Sequence, residues 1–223
     1  MGKNHLIRLA APKTWNIKRK GVKFITKPAP GTHRLQDCVP LGVLLKEVLG
    51  YANTTREVKK ILNADSVKID GKVRKDFRFP VGIFDAVEFT NINEYFRATF
   101  NRKGKIDFVR IKKEDAILKP CKIIGKVALR GKLQLNLYDG KNILADKSLY
   151  KVGDTLLLGL PEQKIIKHLK LDKNSTIFLM GGKHIGETGK VEDIIKNRII
   201  YKDDKGGLVE TLKEYAFVVE SEK

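Results

Sequence analysis

The chain has no aspartate or glutamate before Asp37, although 26 acids are spread over the rest of its 223 residues. With nothing to offset them, Lys3, Arg8, Lys13, Lys18, Arg19, Lys20, Lys23, Lys27 and Arg34 make residues 1–36 a stretch of charge +9 that repels itself and favours a polyanion. Cysteine is scarce. Cys38 and Cys121 lie 83 positions apart, with no CxxC and no metal-ligand spacing around either, which argues against a disulfide framework and a zinc site and for a cytosolic protein. Long apolar runs are missing too: Leu6–Ala11 is interrupted by Arg8 and too short for a signal-peptide core, and no other run approaches a membrane span. Neither export nor membrane insertion is expected. A basic amphipathic helix for a lipid surface is also disfavoured, because Pro12, Pro28, Pro30 and Gly31 break the segment and only Trp15 and Phe24 supply large aromatics.

Catalytic patterns fail in the same way. Ahead of Gly189-Lys190, a phosphate-binding loop of the Walker type would need glycine where His184 stands and a hydroxyl residue where Val191 stands. A dinucleotide fingerprint needs a helix after its glycines, whereas Val191–Ile195 and Ile199–Tyr201 read as strands. His184-Ile185-Gly186 is three-quarters of a synthetase signature without its last histidine. The four histidines, His5, His33, His168 and His184, are dispersed; the first two are expected to touch backbone or phosphate, and His168 to face outward from a strand. No catalytic grouping, metal site, cofactor or small-molecule substrate is expected.

What is present is positive charge and short β-strands. The net charge is +19, with 45 Lys and Arg; residues 37–91 are nearly balanced, nine cations against eight acids, and residues 92–223 again carry +9. Nucleic acid is the favoured partner. Residues 40–50 read as a helix, with Leu41, Leu44, Leu45, Val48 and Leu49 at helical spacing and Gly50 as its stop. Thr54 and Glu57 form a capping box for a second helix with Val58, Ile61 and Leu62 on one side and Arg56, Lys59 and Lys60 on the other. Val67–Ile69, Asp70-Gly71 and Val73 then read as a tight hairpin, completed into a small sheet by Ile83, Val87 and Phe89. Basic side chains, Lys68, Lys72, Arg74, Lys75 and Arg78, alternate with the apolar ones.

From residue 95 the chain reads as β throughout. Leu133, Leu135 and Leu137 alternate with polar residues, Arg130-Gly131-Lys132 links their strand back to Ile123–Leu129, and Thr155–Leu160 and Ile165–Leu169 follow. With no helix-length segment between these strands, a small barrel is expected rather than an open parallel sheet. Near the C-terminal end, Gly182, Gly186 and Gly189, flanked by Lys183 and Lys190, mark a strand, a tight loop and a returning strand that can clasp a phosphate backbone.

Pro40-Leu41-Gly42-Val43-Leu44-Leu45, the capped helix Thr54–Leu62 and the hairpin Val67–Val73 together resemble the S4-type RNA-binding module, and the glycine loop at 182–191 resembles a KOW motif. In this order, behind an opening Gly2-Lys3-Asn4-His5-Leu6-Ile7-Arg8-Leu9-Ala10-Ala11-Pro12 and Trp15, they resemble the S-four-e family of small-subunit ribosomal proteins, in its archaeal branch, over essentially the whole chain. A KOW motif often has lysine where Ile185 stands here, which leaves its cationic contacts to Lys183 or Lys190.

The resemblance implies an α+β, mostly β, multi-domain protein: a basic N-terminal arm at 1–36, an S4-like module of two helices and a hairpin at 37–91, a central small β-barrel-like domain at 92–174 and a KOW-like β domain at 175–223. It implies a structural constituent of the small ribosomal subunit in cytoplasmic ribosomes, bound to ribosomal RNA and neighbouring ribosomal proteins, without catalysis. The expected RNA contacts are Lys3, His5, Arg8, Lys13, Trp15, Lys18, Arg19, Lys20, Lys23, Lys27 and Arg34 of the arm. They continue with Arg56, Lys59, Lys60, Lys68, Lys72, Arg74, Lys75 and Arg78 of the module, and Lys183 and Lys190 beside the glycine loop. Trp15 is expected to stack on an unpaired base or to fill a hydrophobic notch. Two other readings remain: an RNA-modifying enzyme that docks through the S4-like unit, and a KOW-containing regulator of transcription or translation.

Overall fold

A computed structural model describes residues 5–129, 131–145, 149–203 and 206–220. Lys3 and Arg130 therefore lie outside the described residues. The chain forms two compact units, one of residues 1–99 and 105–117, the other of Phe100–Gly104 and 118–223.

In the first unit, β1 (Leu6–Ile7) pairs antiparallel with β2 (Phe24–Ile25). Strand β3 (Cys38–Pro40) runs into helix α1 (Leu41–Val43), which widens at once to a π-helix over Leu44–Val48. The expected helix is thus present but starts after Pro40, and its last turn is closed by the Leu49 N–H donating five residues back to the Leu44 carbonyl (2.9 Å). Leu44 and Leu45 are consecutive and both buried. Gly50 ends it with φ +72°, the left-handed conformation that glycine adopts without penalty. Helix α2 (Thr55–Asn63) is capped as its sequence predicts: the Glu57 N–H donates to Thr54 Oγ1 (3.2 Å), and the Glu57 carboxylate accepts from the Asn53 N–H (2.8 Å) and the Thr54 hydroxyl (2.8 Å). These bonds, the Asn53 N–H foremost, hold the Glu57 carboxyl below its ordinary range.

Strands β4 (Val67–Ile69) and β5 (Lys72–Val73) are joined by Asp70 and Gly71, both at positive φ, the two-residue turn whose twist matches a hairpin. Next come β6 (Pro80–Gly82), β7 (Ala86–Phe89), β8 (Glu94–Phe100) and β9 (Ile106–Arg110), giving one sheet of order β5-β4-β7-β8-β9 and a separate β3-β6 pair. Val58 and Leu62 of α2, Val67 and Ile69 of β4, and Val87 of β7 are buried in this unit, the apolar face that the hairpin alternation requires.

The second unit holds β10 (Leu118–Leu129), β11 (Lys132–Leu137), β12 (Asn142–Ala145), β13 (Thr155–Gly159) and β14 (Lys164–Leu169), antiparallel in the order β12-β11-β10-β13-β14. A second antiparallel sheet has β15 (Thr176–Leu179), β16 (Thr188–Ile195), β17 (Arg198–Asp203), β18 (Leu208–Leu212) and β19 (Ala216–Val218), in the order β18-β17-β16-β15-β19. Each has its own core, around Ile123, Leu135, Leu137, Leu156 and Leu158 in one and Ile177, Leu179, Val191, Ile199 and Tyr201 in the other. The chain is mostly β, as expected. A short helix, α3 (Lys113–Ala116), interrupts the β reading of the sequence between β9 and β10.

Between the two sheets of this unit stands a buried lysine. The Lys122 ammonium donates to the carbonyls of Lys213 (3.1 Å), Glu214 (2.7 Å) and Ala216 (2.7 Å), and burial lowers its pKa to about 8. A second buried charge, Asp139, lies 3.4 Å from the Lys119 ammonium and 3.2 Å from that of Lys141. Burial opposes the Asp139 charge, but these two cations outweigh it and hold the carboxyl below its ordinary range. His168, expected to face outward, instead sits with Nε2 2.7 Å from Asp154 Oδ2 and its ring beside Tyr150. Asp154, itself buried, also accepts the Lys151 and Leu171 N–H groups, so its carboxylate draws the imidazole in.

Candidate nucleic-acid interface

The N-terminal segment is where charge and packing compete most directly. Arg8 is largely enclosed: its guanidinium meets Glu47 of the α1 extension through two parallel bonds, Nη1 to Oε2 at 2.7 Å and Nη2 to Oε1 at 2.8 Å. It also donates to the Lys18 and Val22 carbonyls, and Glu47 pushes its already high pKa higher. Arg19 donates to the carbonyls of Ala11 (2.7 Å) and Pro12 (2.6 Å). Arg8 and Arg19 therefore hold the segment's own fold.

Trp15 is 0% exposed, and the neighbouring Thr14 carbonyl accepts the Ile106 N–H of β9 at 2.7 Å. Of its two expected roles, the buried position fits the hydrophobic notch. His33, expected at backbone or phosphate, is enclosed as well, with Nε2 3.0 Å from the buried Asp85. A Cβ on Gly82 would overlap the His33 ring. The segment is thus part of the first unit.

Other expected contacts divide into engaged and open groups. Arg74 lies over the Phe79 ring (4.4 Å) and Lys59 over Phe77 (5.3 Å). Lys68 is 3.6 Å from Glu88, Lys75 is 2.9 Å from Asp65, and the Arg78 Nε donates to the Lys27 carbonyl. By contrast, Lys13, Lys18, Lys20, Arg34, Arg56, Lys60, Lys72, Lys183 and Lys190 are exposed and have no acidic partner among the described residues. Lys23 and His5 are exposed beside Phe24. Arg56, Lys59 and Lys60, three and four apart, share the solvent side of α2 opposite the buried Val58 and Leu62.

The glycine loop joins β15 to β16. Gly182 and Gly186 both have φ of +80°. Gly189 is extended and buried instead, and a Cβ there would overlap the Tyr201 ring of the neighbouring strand. The Gly186 N–H donates to the Leu179 carbonyl (2.8 Å), and His184 Nδ1 lies 3.0 Å from Glu187 Oε2. Among the described residues no group of three or more His, Cys, Asp or Glu could hold a metal ion, and no helix is long and apolar enough to cross a membrane.

These features define a mostly β protein with open cations on each of its two units. Residues 92–165 match the model of ribosomal family S4e, and residues 1–36 match that of the RS4NT (NUC023) domain. The chain is 42% identical over 223 residues to small ribosomal subunit protein eS4 of Methanocella arvoryzae, covering 97% of this chain and 94% of that protein. It is 39% identical over 236 residues to the protein of the same name from Methanocaldococcus jannaschii, covering 99% and 96%. The crystal structure of the 30S ribosomal protein S4e from Thermoplasma acidophilum is similar with a TM-score of 0.69 and 28% identity, over 83% of this chain and 95% of that one. The chain belongs to ribosomal family S4e, among archaeal relatives.

Proposed function

We propose that this chain is a non-catalytic, structural constituent of the small subunit of cytoplasmic ribosomes, where it binds ribosomal RNA and touches neighbouring ribosomal proteins. The observation that carries this reading is the near full-length identity to archaeal proteins named small ribosomal subunit protein eS4. The open cations support the RNA part, because exposed Lys and Arg neutralise phosphates and release their counterions. Residues 37–91 act as an S4-like module, supported by their order of two helices and a hairpin, with the stripe Arg56, Lys59 and Lys60 fixing orientation along a backbone strand. The central β domain expected at 92–174 is supported only for the sheet β12-β11-β10-β13-β14, because β8 and β9 join the sheet of the first unit. Residues 175–223 are a KOW-like domain with Lys183 and Lys190 at the backbone, supported by the glycine loop between two antiparallel strands. In the segment 1–36, Lys13, Lys18, Lys20, Lys23 and Arg34 contact RNA, while Arg8, Arg19 and Trp15 hold it in shape.

Sucrose-gradient sedimentation of cell extract tests the reading. The tagged chain is expected to travel with small subunits and to stay there after a moderate salt wash. A free pool that turns over or modifies RNA would overturn it.

A further inference from the structure

The glycine loop does not stand alone. Phe100–Gly104 belongs to the second unit, and Gly186 is seated on its backbone, where a Cβ would overlap the Asn101 carbonyl. Ile185 packs on Gly104 from the same side: a Cβ at residue 104 would stand 3.1 Å from Ile185 Cγ2. Both glycines have positive φ, +69° at Gly104 and +80° at Gly186, so each position disfavours a side chain for two reasons at once. The turn is ordered from within, since the Gly104 N–H donates to the Asn101 carbonyl (2.9 Å) and the Lys103 N–H to Asn101 Oδ1 (3.0 Å). Two stiff loops are therefore locked side by side, one exposing Arg102 and Lys103, the other Lys183. The acid of the glycine loop, Glu187, is engaged by His184.

The geometry points to a composite site in which the Asn101–Gly104 turn and the glycine loop grip one RNA sugar–phosphate backbone together, through Arg102 and Lys103 from the first and Lys183 from the second. This rests on the ribosomal-RNA reading above and adds to it cations that lie far from the glycine loop in sequence. Exposed cations on separate loops hold a single small anion weakly. A polyanion meets several of them at once, and loops ordered before binding lose little entropy on contact.

The test uses the full chain and small-subunit ribosomal RNA purified from Methanocaldococcus jannaschii, with affinity measured across a salt series. Arg102→Ala with Lys103→Ala, and separately Lys183→Ala, are each expected to lower the slope of log affinity against log salt by roughly 0.7–0.9 for every phosphate that is no longer neutralised. Lys103→Arg should leave it unchanged. A photo-crosslinking amino acid placed at position 103 or at position 183 should mark the same short RNA segment. Unrelated segments, or an Arg102/Lys103 variant that keeps the full slope while Lys183→Ala loses it, would overturn the composite site and leave RNA binding standing. A wild-type chain without salt-dependent binding would instead overturn the RNA reading itself.

Discussion

Arg8 and Glu47 are 39 residues apart in sequence and bound by two parallel charge-assisted hydrogen bonds of 2.7 and 2.8 Å. The pair ties the acid-free segment to the π-helical extension of α1, so the segment's stability is that of the first unit. Arg8→Ala is expected to cost about 1.5–3 kcal/mol, the range for a hydrogen-bonded charged group. Glu47→Gln should cost less, since the amide still accepts one bond. Urea unfolding of both variants measures the difference, and equal stability of wild type and Arg8→Ala would make the pair a surface ornament.

Trp15 separates scaffold from ligand contact. Trp15→Ala should destabilise the first unit by about 3–5 kcal/mol, as loss of a buried large aromatic does. RNA affinity of the protein that remains folded at low temperature should be unchanged. A stable variant with weakened RNA binding would show that the indole leaves the core to meet a base.

The stripe on α2 makes the converse case. Arg56, Lys59 and Lys60 are exposed, so replacing all three with Ala should cost no more than the modest worth of the exposed Lys59–Phe77 contact, while lowering the salt slope of RNA binding by roughly 0.7–0.9 for each phosphate left without its cation. An unchanged slope would mark an ordinary solvated face.

Lys122 gives the second unit an alkaline signature. Burial lowers its pKa from 10.5 to about 8 in the folded chain. Between those values the unfolded chain binds the extra proton, so stability contributed by this group rises with pH, by up to about 1.4 kcal/mol per pH unit. Unfolding free energies of wild type and Lys122→Met, measured from pH 7 to 10, should diverge in favour of the wild type as pH rises. A constant difference would mean that the ammonium stays charged in its ring of carbonyls.

Asp139 acts at the other end of the scale. Its lowered pKa contributes stability above the unfolded value of 3.8, lost as pH falls through the folded value. Acid titration followed by tyrosine fluorescence should show the second unit of Asp139→Asn already weakened at neutral pH and less sensitive to acid than the wild type. The neutral-pH loss is expected at about 3–5 kcal/mol, because the variant removes one partner of a buried charge pair.

Features written in neighbouring residues were legible in the sequence. The Thr54–Glu57 cap, the Asp70-Gly71 turn and the alternation around Leu135 each need only a few consecutive positions, and each appears as expected. What sequence reasoning missed depends on distant partners. Trp15 and Arg8 sit in a stretch whose charge dominates its composition, and nothing near them announces Ile106 or Glu47. The strand pattern predicts an outward-facing His168, yet Asp154 meets it from 14 residues away. Lys122 precedes the strand expected at Ile123–Leu129 and gives no local sign of burial, because its acceptors are backbone carbonyls, which every residue possesses. Arg102 and Lys103 carry one local signal, a cationic turn closed by Gly104.

The carbonyls that hold Lys122 are made 91 to 94 residues after it. A chain emerging from a ribosome therefore completes the first strand of this unit long before the acceptors for its ammonium exist. Until Ala216 is added, Lys122 has to remain hydrated and β15 lacks β19 at its side. Folding of this unit is thus bound to finish late in synthesis, and a nascent chain stalled before Ala216 should hold the first unit native while the second stays open to protease.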